Sequence, residues 1–152
     1  MALSASINPL LMLVGDWRGQ ETIEPSKWGP GGVAEATVSC REELGGRAYV
    51  QTYAAERDGR PWLQAHAVFT SDPADNACSL FWFDSLGFVP AQPAAGQWDG
   101  ETLSFVRSSP RGQSRHLYSP QGDDVYAMRL ETSFDDGATW VPVMTGRYTR
   151  IE

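Results

Sequence analysis

Residues 33–55 read VAEATVSCREELGGRAYVQTYAA, and these two alternating segments joined by a turn decide the fold. In the first segment, every second residue from Ala34 to Cys40 is apolar and the residues between them are polar. Such alternation gives a strand one buried face and one wet face. Gly45 and Gly46 provide residues that tolerate a positive φ in the connection. The stretch therefore predicts an antiparallel hairpin.

Turn residues such as these glycines recur about every ten residues along the chain, between segments rich in Val, Thr, Tyr, Phe and Trp. Crossover helices are absent, which excludes a parallel sheet. A short helix, capped by Asn8 with Pro9 in its first turn, is expected to close one end. The pattern predicts an all-β, roughly ten-stranded antiparallel barrel, as one domain over residues 1–152. The predicted strands are 17–24, 33–43, 47–55, 62–70, 78–84, 97–98, 102–107, 113–119, 125–133 and 140–151.

Charge and composition narrow the classes of partner. The chain has 152 residues and a formal charge of -7, and its 12 Lys and Arg residues are scattered. Binding to a nucleic-acid backbone needs a basic surface, so no nucleic-acid partner is expected. Residues 1–14 are apolar but lack a basic start and are too short to cross a bilayer, so we expect no membrane partner and a cytoplasmic location.

Two strands carry polar side chains among aromatic ones. On the third strand, Tyr49 shares one face with Gln51. On the fourth, Gln64 and His66 share one face with Trp62. Polar groups on an inward face are costly in a dry core but are tolerated in a partly wet cavity. The sequence thus predicts a barrel that holds a ligand.

Seven side chains are candidates for contacts with that ligand. His66 and His116 are the only histidines, and either one facing the cavity is a hydrogen-bond anchor or a general base. Two histidines without a third ligand are a weak metal site, so no metal is expected. The set is His66, Gln64, Trp82, Tyr49, His116, Glu21 and Trp28.

Glu21 and Trp28 each leave an alternative open. Glu21 shares the alternation of Trp17 and Ile23, which leaves two positions open: an inward carboxyl group with a raised pKa and an arginine partner, or a solvated position at the barrel mouth near the end of the strand. Trp28 lies in the Gly- and Pro-rich loop 25–32, which leaves two interpretations open: a loop that covers the barrel mouth, or an exposed loop with an exposed Trp.

Residues 133–140, SFDDGATW, match the SxDxGxTW pattern called the Asp box. In this pattern the Asp side chain bonds turn amides and Gly takes a left-handed conformation. A propeller needs repeated blades, so this single copy predicts a hairpin between the last two strands.

Five motifs in order resemble the DUF1579 proteins, a calycin-like group. They are 15–19 (GDWRG), 44–47 (LGGR), 82–85 (WFDS), 98–100 (WDG) and 146–150 (GRYTR). The resemblance covers nearly the whole chain and implies a lipocalin-like barrel of about ten strands. It implies no activity, because the family is defined without one.

The chain is more distantly similar to nitrobindin-type haem barrels, which share the opening GxWxG strand and the closing aromatic-x-Arg. A histidine on a late strand holds the iron in those proteins. The corresponding stretch here, 141–149, contains no histidine, so we expect no haem and no other cofactor.

Three functions follow as hypotheses. The first is binding of a small, partly apolar molecule inside the barrel. The second is an isomerase or hydrolase that uses a His or Glu in the same cavity. The third is a structural or interaction protein with a filled barrel, and a homodimer is a further expectation.

Overall fold

The computed structural model describes residues 8–27, 29–72, 74, 77–87 and 89–151. Ten antiparallel strands in this part of the chain close into a barrel, in which each strand pairs with its sequence neighbours and β1 pairs with β10. The all-β barrel and its ten strands are thereby confirmed. The strands are β1 (Gly15–Ile23), β2 (Gly32–Glu43), β3 (Ala48–Arg57), β4 (Arg60–Ser71), β5 (Cys78–Asp84), β6 (Ala94–Trp98), β7 (Leu103–Ser109), β8 (Gly112–Pro120), β9 (Val125–Ser133) and β10 (Val141–Arg150).

The period of two along each strand sorts side chains between the interior and the outer surface. On β2 the apolar residues from Ala34 to Cys40 are buried, and Glu35 and Thr37 between them are exposed. Large side chains fill the closed half of the interior. The largest buried ones include Trp17, Tyr49, Tyr126, Tyr148, Phe69 and Phe105.

A 3₁₀ helix, Pro9–Leu13, packs against the end of the barrel where β1 begins. The Asn8 side chain accepts a hydrogen bond from the Leu10 N–H (3.0 Å) and donates one to the Tyr49 hydroxyl (2.8 Å). Leu10 and Leu13 are fully buried. The predicted short helix is thus a single 3₁₀ turn, because Val14 is already extended to enter β1.

Arg150 seals the same end. Its guanidinium lies 4.3 Å from the centroid of the Trp17 ring, and its Nη1 donates to the Val14 carbonyl at 2.9 Å. The end of the last strand is therefore tied to the start of the first, which closes the barrel.

The opposite end is less complete because β6 is short. β6 begins at Ala94, which pairs with Leu80, while β5 continues to Asp84. On the other side Ala95 pairs with Val106, and β7 continues to Ser109. The ends of β5 and β7 therefore project beyond β6 and leave a gap in the hydrogen-bonded wall.

Candidate functional site

A cavity of about 430 Å³ lies inside this less complete end of the barrel. Its volume is in the range of roughly 300–1,000 Å³ that small-molecule sites occupy. Every strand except β2 contributes to its wall, and most contributions are apolar or aromatic. These side chains are Ile23, Tyr53, Trp62, Leu63, Leu80, Trp82, Leu86, Pro90, Ala94, Met128, Leu130, Val143 and Met144.

A local irregularity brings Trp62 into this wall. The β3–β4 pairing shifts register, since Ala55 pairs with Leu63 while Glu56 pairs with Pro61. Trp62 is the additional residue between the two pairs. Trp62 and Leu63 both line the cavity, although neighbours on a regular strand point to opposite faces.

β8 places two polar residues, Ser114 and His116, in the cavity wall, and His116 is the titratable one. Its ring centroid lies 5.4 Å from that of Trp82 and 6.3 Å from that of Tyr118, and the His116 and Tyr118 rings are nearly parallel. Within the described part of the chain, neither ring nitrogen of His116 has a hydrogen-bond partner. Both nitrogens are thus available to a molecule in the cavity.

The charge state of His116 follows from its surroundings. Burial, and then the positive charge of Arg107, lower the pKa of His116 from 6.5 to about 4. The ring is therefore neutral at neutral pH, with one N–H donor and one acceptor nitrogen.

Arg107 and Asp84 bring the charges at the cavity. Arg107 follows Leu103 and Phe105 on the inward face of β7. Burial lowers the pKa of its guanidinium, which nevertheless stays protonated at neutral pH. The Asp84 carboxylate accepts hydrogen bonds from Trp82 Nε1 (2.9 Å) and from the Leu86 N–H (3.0 Å).

A buried carboxyl group lies directly behind the cavity wall. Glu21 is fully buried, and its two oxygens accept hydrogen bonds from the hydroxyls of Tyr53 (2.6 Å) and Tyr148 (2.5 Å). Burial raises the pKa of Glu21, and the two hydroxyls oppose that shift. Of the two positions left open for Glu21, the structure shows the inward one, and its partners are two tyrosines and not an arginine. The alternative of a solvated position at the mouth is wrong.

The predicted site residues fall into four groups. Trp82 and His116 line the cavity, whereas Tyr49 lies in the interior near the 3₁₀ helix and Glu21 lies behind Tyr53. Ligand contacts at all four stay a prediction. Trp28 lies outside the described residues.

The inward orientation of Gln64 and His66 is wrong. Both side chains are exposed on the outer face of β4, because Ala65 and Ala67 occupy the interior positions. His66 pairs with Thr52 and Phe83, which are exposed on the same outer face. These two residues are therefore removed from the candidate site.

Sequence reasoning did not place Arg107 and Trp62 together in the site. Arg107 carried a usable signal, since it continues the alternation of Leu103 and Phe105. Trp62 carried none that could be trusted, because its orientation depends on the register shift. The pairing of β7 with β8, which brings Arg107 close to His116, is a matter of tertiary structure.

The described ranges meet the requirements of neither a metal site nor a membrane-spanning helix. There, no group of three or more His, Cys, Asp or Glu side chains is arranged to hold a metal ion. The same residues contain no helix of the length and apolar character that a membrane span requires. A shallow groove of about 800 Å³ on the outer surface is lined by polar and charged side chains such as Arg18 and Glu35.

The chain also matches the sequence model of a known protein family. The sequence model of the family described as "Protein of unknown function (DUF1579)" matches residues 8–150. The chain belongs to the DUF1579 family. This DUF1579 protein has no match among proteins with curated functions.

Two solved structures share the barrel of this DUF1579 protein. The crystal structure of Rv2717c from M. tuberculosis superposes with a TM-score of 0.71, over 94% of this chain and 95% of that chain, at 13% identity. The S-type phycobiliprotein lyase CPES from Guillardia theta superposes with a TM-score of 0.65, over 94% and 90% of the two chains, at 10% identity. At such identities the likeness shows the fold alone.

Proposed function

We propose that this DUF1579 protein binds a small, largely apolar molecule inside its barrel. The cavity of about 430 Å³ carries the proposal, because its wall is built from aliphatic and aromatic side chains with few polar groups. Aromatic rings supply much of that wall, with the centroids of Tyr53 and Trp82 5.7 Å apart. Burial of an apolar molecule against such surfaces is favourable, and the few polar groups would fix its orientation.

The polar groups at the cavity favour binding over acid–base catalysis. A catalytic base works best with a pKa near the working pH, whereas the pKa of His116 is lowered to about 4. No carboxylate in the described part of the chain makes a hydrogen bond to His116. Glu21 has hydrogen bonds from Tyr53 and Tyr148 to its two oxygens.

A neutral lipophilic dye, Nile red, tests the proposal without assuming a ligand charge. Wild-type protein is expected to bind one dye molecule per chain, with a blue shift of its emission. Ser114→Trp places a large ring at a cavity-lining position and should weaken binding by about tenfold or more. His66→Ala changes an exposed residue on the outer face and serves as the matched control.

The outcome depends on the contrast between these variants, each checked for folding by circular dichroism. No dye binding to the wild type, or equal binding to Ser114→Trp, would overturn the proposal. Native mass spectrometry of freshly purified protein then gives the mass of any retained ligand. The same spectrum measures the oligomeric state, so it tests the predicted homodimer; the cytoplasmic location stays a prediction.

A further inference from the structure

We propose that the bound molecule carries a carboxylate, which Arg107 and His116 hold at the cavity wall while its apolar part lies against Trp82. This inference rests on the proposed function and specifies the chemical class of the ligand. It is carried by two observations on neighbouring strands, one on each of the two anchoring residues.

The first observation is the unused hydrogen-bonding capacity of His116. Both ring nitrogens lack a partner among the described residues, although the ring is packed between Trp82 and Tyr118. Neither nitrogen is fully buried, so both can be reached from the cavity. A ligand oxygen that accepts from the imidazole N–H would satisfy this donor when the molecule enters the cavity.

The second observation is the position of Arg107 next to His116. β7 and β8 pair so that Phe105 is opposite His116 and Arg107 is opposite Ser114. Arg107 is thus the next inward-facing residue of β7 after Phe105, on the side of the open end. Its positive charge contributes to the lowered pKa of His116. The planar guanidinium presents several N–H donors in a geometry that suits a carboxylate. Within an apolar cavity this attraction is stronger than it is in water.

Asp84 is the negative charge at the cavity. Asp84 lies at the end of β5, beyond the gap left by β6, and accepts hydrogen bonds from Trp82 and Leu86. Its carboxylate helps to hold the Trp82 indole in place. A cationic head group beside His116 would be repelled by the Arg107 guanidinium, whereas a carboxylate there would be attracted to it.

Three decyl probes separate head-group recognition from apolar binding. Decanoate, decanol and decylamine share one chain, and calorimetry or displacement of Nile red gives the affinity of each. We expect decanoate to bind wild-type protein about tenfold more tightly than decanol, and decylamine to bind most weakly.

Two cavity variants and one control test whether Arg107 and His116 cause the preference for decanoate over decanol. Arg107→Gln should reduce decanoate affinity about tenfold and leave decanol affinity unchanged. His116→Phe keeps an aromatic ring, removes the N–H donor and should reduce the preference for decanoate in the same direction. Arg41→Gln, at an exposed position on β2, should change neither affinity.

The results separate this inference from the proposed function. If Nile red binds but decanoate has no advantage over decanol, or decylamine binds best, the inference is wrong and the apolar site stands. If Arg107→Gln and His116→Phe both keep the wild-type preference, these residues do not form the anchor and the inference is also wrong. If neither Nile red nor any decyl probe binds, the proposed function itself fails.

Discussion

Tyr148 donates a 2.5 Å hydrogen bond to Glu21 across a sequence separation of 127 residues. β1 and β10 are neighbours in the closed barrel, where Gly146 pairs with Glu21 and Gly19 pairs with Tyr148. A Cβ atom at Gly19 would lie 2.2 Å from Cδ1 of Tyr148, and one at Gly146 would lie 2.6 Å from its hydroxyl oxygen. The two glycines therefore leave the space through which Tyr148 reaches the buried carboxyl group.

Gly146→Ala should displace the Tyr148 hydroxyl and leave Glu21 short of one partner. We expect the free energy of unfolding to fall by about 1–3 kcal/mol, measured by urea denaturation. Gly29→Ala is the matched control, because a Cβ atom there meets nothing within 4 Å, and it should stay within about 0.5 kcal/mol of the wild type. Equal effects of the two substitutions would show that the close approach to Tyr148 does not matter.

Glu21 should make stability depend on pH with a definite sign. Because its pKa is raised above 4.5 in the folded protein, the folded state keeps a proton that the unfolded chain releases. Stability from this group is complete below 4.5 and is lost as the pH rises through the raised pKa. Glu21→Gln cannot titrate, so its free energy of unfolding should decline less than that of the wild type as the pH rises above 4.5.

Urea denaturation at several pH values measures this difference. Glu35→Gln, at an exposed position on β2, is the control and should keep the wild-type profile. Parallel profiles for Glu21→Gln and the wild type would mean that the carboxyl group titrates normally in the folded state.

His116 should make the protein less stable as the pH falls, which is the opposite of the effect of Glu21. Its pKa is lowered from 6.5 to about 4, so the stability it permits is complete above 6.5 and is lost as the pH falls through the folded value. His116→Phe removes this loss and should gain roughly 2 kcal/mol over the wild type between about pH 7 and pH 5. The comparison isolates His116, since Glu21 titrates in both proteins.

Denaturation curves at the two pH values test this expectation. Gln64→Ala, which alters an exposed residue on the outer face, should follow the wild type at both. If His116→Phe also follows the wild type, the imidazole is not desolvated as its position implies.

Asp135 should hold the last hairpin together. Its carboxylate accepts hydrogen bonds from the Thr139 hydroxyl (2.6 Å), the Thr139 N–H (2.9 Å) and the Ser133 hydroxyl (2.8 Å), and these bonds lower its pKa to about 2. Asp135→Ala should lower the melting temperature and expose the hairpin to proteolysis, with the barrel's circular dichroism retained. Asp136→Asn is the control, because Asn tolerates the positive φ of 59° at that position.

Trp140 offers a local readout of the same hairpin. Its ring packs 4.0 Å from the Arg115 guanidinium on the outer face. An unchanged protease cleavage pattern in Asp135→Ala would show that the turn does not depend on the carboxylate.

The strands and turns could be predicted from the sequence because their causes are local. Alternation on β2, the turn glycines and the Asp box each depend on residues within one hairpin. The alternation on β1 allowed an inward Glu21 but did not decide it, because a charged residue near the end of a strand is equally compatible with solvent. The N-terminal helix was only partly predicted, because the chain must already be extended at Val14 to enter the barrel.

The sequence alone did not determine which histidine faces the cavity. His66 and His116 both lie in alternating strands, and β4 offered two plausible faces. Small residues, Ala65 and Ala67, take the interior of β4 because large rings from other strands, such as Tyr53 and Trp82, fill the space in front of them. No local pattern contains that information, since it depends on side chains that are distant in sequence.

The chain's own sequence therefore determined the barrel and its strands. Only the tertiary structure decided that Tyr148 reaches Glu21, that Trp62 turns inward at a register shift, and that Arg107 lies beside His116. The physical reason is the difference in range. Strand alternation and turn conformation act over a few residues, whereas a cavity is what remains after ten strands have closed and packed around it.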